Sequence, residues 1–232
     1  MKYFMIENKK KIRTVFWIIV LSGSLLLGAA VGALEVSHGG KNALLAVWLA
    51  AVAVASVAID LLWYRAFNRQ LKFLQPILSE EGDPDRYIQE ISALLEGKRS
   101  PQLRGVLLIN LCAAYCDKRE YDTAKALLLQ VNPKKLAPVN RLVYWADLAY
   151  IHFHLQEDAP ACAILTQQKD ALLKFKESPH LGGLVAILLI FQKIAEGDKT
   201  AAGAFLAQAR PRWQTARNAH DFEYLDQLCR TD

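Results

Sequence analysis

Apolar residues are distributed along this chain in two regimes. Residues 15–34 (VFWIIVLSGSLLLGAAVGAL) run without a charge, and residues 43–64 run apolar apart from Asp60. At 1.5 Å per residue, about twenty helical residues cross the roughly 30 Å hydrocarbon core of a bilayer. Between the two runs lies EVSHGGKN, a polar turn with Gly39-Gly40. The pair therefore predicts a transmembrane helical hairpin with both ends on one side. Beyond Arg65 the apolar positions recur at the helical period, and no segment alternates as a strand would. Asp83-Pro84, Ser100-Pro101, Asp158-Ala159-Pro160 and Ser178-Pro179 place proline in a first helical turn, where its missing N–H would be unsatisfied anyway. Gly97 and Gly197 mark helix ends. The predicted helices are 66–80, 84–96, 101–117, 121–131, 138–156, 160–175, 180–196, 199–210 and 213–229. The fold class is all-α. Short links between helices of this size favour stacked helix pairs, the unit of an α-solenoid. The expected organisation is a basic N-terminus over 1–14, the hairpin over 15–64, a juxtamembrane helix pair over 65–100 and a helical domain over 101–232.

The flanks orient the hairpin. Lys2, Lys9, Lys10, Lys11 and Arg13 precede the first helix, Arg65, Arg69 and Lys72 follow the second, and the turn holds only Lys41. The excess of Lys and Arg predicts both termini in the cytoplasm. Trp17, Trp63 and Tyr64 fall where an aromatic belt would sit. Val31-Gly32-Ala33 also resembles the small-residue site of a cleaved signal peptide, although the apolar run exceeds the usual length of such a signal. Ser24, Gly28 and Gly32 recur every four residues, and Ala46 and Ala50 offer matching small faces. Such a ridge lets helix backbones approach closely, within the hairpin or between copies. Asp60 reads as an interfacial carboxylate near Arg65.

In the helical region, Asn110-Leu111-Cys112-Ala113-Ala114-Tyr115 is followed by Glu120-Tyr121-Asp122-Thr123-Ala124. This stretch resembles the tetratricopeptide (TPR) repeat: Leu111, Ala114, Tyr115, Tyr121, Ala124 and Pro133 match its pattern. Arg119 stands where a turn glycine is usual, and Pro133 comes early. Residues 148–161 and 189–202 align as fainter second and third copies. Ala124, Ala161 and Ala202 then lie 37 and 41 residues apart, longer than the strict repeat. The resemblance implies a TPR-like α-solenoid that binds a protein partner on the face of its first helices. Groove-facing positions carried over from the family are Val106 and Ile109, then Tyr150, Phe153 and His154, then Phe191. This set is apolar and lacks the Lys/Asn/Arg constellation that grips a terminal carboxylate. It suits an amphipathic partner helix, or the chain's own final helix, which carries Trp213, Phe222, Leu225 and Leu228.

Composition narrows the function classes. The chain has 232 residues, is 53% hydrophobic and carries a formal net charge of +5. Most of that charge belongs to residues 1–14, so the helical domain lacks the basic patch of a nucleic-acid binder. Cys112 and Cys116 share a helix with no matching ligand pair, and His152 and His154, two apart, point to different sides. Neither a metal nor another cofactor is expected. No phosphate loop, nucleophile elbow, H-E-x-x-H or dinucleotide fingerprint occurs. No small-molecule substrate is implied, and an enzyme is not expected. The expectation is a membrane-anchored scaffold for protein–protein interaction, in a setting that suits a bacterial inner membrane. The alternative is a small accessory subunit whose hairpin is the working interface.

Overall fold

The computed structural model describes residues 9–33, 38–97 and 99–230. Most of the basic N-terminus and the start of the hairpin turn lie outside these residues, while Gly39 and Gly40, expected in that turn, are helical. Among the described residues the chain is all-helical, with ten α-helices, one 3-10 turn and no strand. It divides into two compact units, Met1–Leu74 and Gln75–Asp232.

The first unit holds α1 (Lys9–Ala33) and most of α2 (His38–Ser79). Both are long and apolar enough to cross a membrane. Their apolar side chains point outward: Leu25 is 76% exposed and Val54 69%. Trp48 of α2 packs directly on α1. Trp48 Nε1 donates to Ser24 Oγ at 3.0 Å, and its ring lies where a Cβ on Gly23 would be, 2.6 Å away. Gly23 is thus the residue that admits the neighbouring helix. Of the ridge expected from spacing, Ser24 accepts from Trp48, a Cβ at Gly28 or Gly32 would meet nothing within 4 Å, and Ala46 and Ala50 are exposed. Asp60 lines a small cavity with Arg13, Trp17 and Ser56.

The break expected near Arg65 does not occur, and α2 runs unbroken for 42 residues. Nothing between Tyr64 and Gln75 interrupts a helix, since Arg65, Asn68 and Arg69 are polar without being breakers. Pro76 comes first, and the helix ends within a turn of it. Trp63, expected in the interfacial belt, is buried and stacks on Phe67 with ring centroids 5.9 Å apart.

The second unit contains α3 (Pro84–Leu95), α4 (Pro101–Asp117), α5 (Tyr121–Leu128), α6 (Pro138–His154), α7 (Asp158–Leu173), α8 (Gly182–Ala195), α9 (Lys199–Trp213) and α10 (Ala219–Arg230). Asp83 and Ser100 cap as expected, accepting from the N–H groups of Arg86 and Leu103. Ser178-Pro179 does not start a helix. It lies in a turn, and α8 begins at Gly182. The last helix begins at Ala219 rather than 213, because α9 extends through Trp213 and Gln214 is extended.

Helices pack as the pairs α4/α5, α6/α7 and α8/α9, and α4 on α6 and α6 on α8 place the first helices side by side. The three pairs are closed by the same turn. Arg119, Gln156 and Gly197 are left-handed, with φ of 61°, 59° and 79°. After each, the next N–H (Glu120, Glu157, Asp198) bonds back to the carbonyl of Tyr115, His152 or Lys193. This doubly bonded ending satisfies carbonyls a helix would otherwise leave open. Ala124, Ala161 and Ala202, one turn into each second helix, are all fully buried. A methyl there lets the paired helices approach.

Candidate functional site under the C-terminal segment

Three first helices present chemistry toward one segment. On α6, Asp147, Tyr150 and His154 lie at i, i+3 and i+7, which is one helix face. Asp117 ends α4, and Phe191 lies on α8. Across from them, residues 214–230 bring Arg217, His220, Asp221 and Tyr224, and α10 packs on α8 and α9.

Charge and hydrogen bonding hold one end of this segment. Arg217 donates to both oxygens of Asp117, from Nε at 2.7 Å and from Nη2 at 3.0 Å. Protein surrounds Arg217 on most sides, yet 38% of its side chain remains accessible, so the pair sits at the mouth of the site. Burial pushes the Asp117 carboxyl up, and Arg217 opposes that shift. Deeper in, the Tyr150 hydroxyl donates to Asp221 Oδ1 at 2.7 Å. His154 Nε2 and His220 Nε2 approach the same oxygen, at 3.5 and 3.2 Å, without hydrogen-bond geometry. Asp147 Oδ2 is sealed from solvent and has no partner. Burial raises its carboxyl to about 7, with the Arg217 charge pulling the other way.

Aromatic packing holds the rest. His154 stacks on Tyr121 at 4.4 Å, tilts against Tyr150 at 4.4 Å and meets Phe191 edge-on at 5.2 Å. Tyr224 from α10 closes over it at 5.6 Å. Phe153 stacks on Phe191 at 5.1 Å. Phe222 and Leu225 are fully buried and supply the apolar anchor of the segment. Burial keeps the tyrosines protonated, raising Tyr121 to about 12 and Tyr150 well above its ordinary value. Such an arrangement grips a chain segment; none of these groups is poised as a base beside a nucleophile.

Of the residues singled out in the sequence, Tyr150, Phe153, His154 and Phe191 come together, and the C-terminal segment covers them. Ile109 is buried in α4 and Val106 half-buried; the Asn110 amide donates to the Val106 carbonyl. His152 faces elsewhere, 2.5 Å from Glu157, which Lys125 also contacts at 2.6 Å. The four cysteines are free thiols. Among the described residues, no group of three or more His, Cys, Asp or Glu side chains is placed to hold a metal ion. A separate cavity of about 210 Å³ lies between α8 and α9, floored by Val185, Leu189 and Phe205 and rimmed by Lys176 and Arg212.

Periodicity alone missed Asp147, Arg217, Asp221 and Tyr224. Two signals pointed to them: an acid inside the otherwise apolar LVYWADLAYIHF, and the spacing i, i+4, i+7 of Arg217, Asp221 and Tyr224. Comparison of the chain with family models, with curated proteins and with solved structures yields no match.

Proposed function

We propose that the chain is a membrane-anchored scaffold whose helical domain, a TPR-like solenoid on the cytoplasmic side, recruits a protein partner. The observation that carries this reading is the shared turn at Arg119, Gln156 and Gly197, with a buried alanine at the same place in each following helix. Repeated pairs of this kind set their first helices in one row, and such rows serve as binding surfaces. The exposed apolar faces of α1 and α2 support the anchor, and the Lys/Arg flanks support cytoplasmic termini.

The test is residue-resolved photo-crosslinking of the full chain in native membranes. The scaffold reading expects one recurring protein joined to probes in α4, α6 or α8. Crosslinks confined to α1 and α2 would sink it. That second outcome belongs to the accessory-subunit reading, which one observation favours: Gly28 and Gly32 are left open on α1. On that reading, Gly28→Leu with Gly32→Leu abolishes assembly with the partner.

A further inference from the structure

Residues 214–230 fill the site through contacts that are incompletely matched. The groove helices supply Asp117 and Asp147, the segment adds a carboxylate of its own at Asp221, and Arg217 is the arginine it sets against Asp117. Arg217 satisfies Asp117 and leaves Asp147 Oδ2 sealed without a partner. The ring nitrogens His154 Nε2 and His220 Nε2 are also left without a hydrogen bond. Permanent cores rarely leave so many buried polar ends unpaired in one place. The charged contact sits at the mouth, open to water, and the segment leaves α9 through the short non-helical stretch 214–218. It can therefore lift without unwinding α9.

We infer that the groove of α4, α6 and α8 is an acidic docking site for an arginine-bearing helical segment of another protein, and that residues 214–230 are its displaceable occupant in cis. The inference rests on the scaffold reading and names the chemistry of its ligand. The occupant itself gives the pattern: an arginine for Asp117, then apolar residues at +5 and +8, as in Arg217, Phe222 and Leu225. Release of the cis segment is then the step that limits binding, and its closed population lowers the apparent affinity.

The experiment uses the full chain in lipid nanodiscs and labelled synthetic peptides of residues 213–230 carrying Cys229→Ser. Fluorescence anisotropy is read for this peptide and for its Arg217→Gln form. The chain variant Arg217→Ala, with its mouth contact removed, should bind the unaltered peptide at least tenfold tighter than the wild-type chain. Asp117→Asn in that variant should abolish the gain. The Arg217→Gln peptide should not bind. Equal binding by wild-type and Arg217→Ala chains, or equal binding of Arg and Gln peptides, overturns the proposal. If Arg217→Ala fails to fold, hydrogen exchange on the wild-type chain decides: excess unaltered peptide should raise exchange over 219–230, and unchanged protection rules displacement out. Peptide binding with no crosslinked partner in membranes leaves the docking site standing and removes the scaffold reading. A partner that crosslinks as strongly to the Asp117→Asn chain keeps the scaffold and removes this site.

Discussion

Helices α1 and α2 and the helical domain spend their apolar residues in opposite directions. Along the two apolar spans leucines and valines face outward, and an indole of one helix packs over a glycine of the other. In the helical domain, Phe222, Leu225, Ile151 and Ile190 are fully buried among helix pairs. Water drives apolar surface inward in one region; in the other the expected solvent is lipid, which offers no such drive. Apolar content therefore says little about core formation until the surrounding medium is specified.

The largest effect expected from breaking this contrast is at Phe222. Phe222→Ala should cost about 3–5 kcal/mol in urea unfolding of the full chain in mild detergent, whereas Leu25→Ala should leave that transition where it was. An equal loss from both would mean that α1 contributes to the core, against the exposure of Leu25.

Next comes pH. The folded Asp147 carboxyl is raised from 3.8 to about 7. Its contribution is fully present below about 4 and is lost as pH rises through about 7, because the fold then holds a buried, unpaired anion. Stability should fall across that window by a few kcal/mol and level off above it. Asp147→Asn should flatten the slope and leave the protein more stable than wild type at pH 8, as equilibrium unfolding at several pH values would show.

Within α1, Gly23→Leu should separate the hairpin by forcing Trp48 aside, at a cost of about 1–3 kcal/mol. Gly28→Leu should leave the hairpin unchanged. Disulfide trapping between cysteines placed in α1 and α2 reads both. If Gly28→Leu separates the helices instead, Trp48 is not the contact that holds them.

The smallest effect is at the shared turn. Gly197→Ala should lose about 1 kcal/mol through its left-handed backbone alone, since open space surrounds it. Arg119→Gly should recover a similar amount. Equal stability of all three chains in thermal melts would remove the backbone argument for that turn.

Much of the fold was legible along the chain. Uncharged runs of twenty residues, proline with a capping aspartate or serine, and glycine at a helix end act within a few residues, so the sequence states them directly. The expected end of α2 near Arg65 failed for a related reason: charge marks a change of solvent and does not break a helix. The start of α10 was misplaced because Trp213 completes α9. Spacing marked the small-residue face of α1 without identifying what lies opposite it, and the structure sets Trp48 against Gly23 and Ser24.

By itself, then, the sequence determined the helical class, the two apolar spans, most helix starts and the alanines on which the pairs close. Each of these follows from local propensity or from a period. Only the tertiary structure decided that Tyr150, His154 and Phe191 are covered, that Arg217 reaches Asp117 a hundred residues away, and that Asp147 is left unpaired. Those outcomes depend on which helix lies across from which, and distant side chains meet only after the helix pairs have stacked.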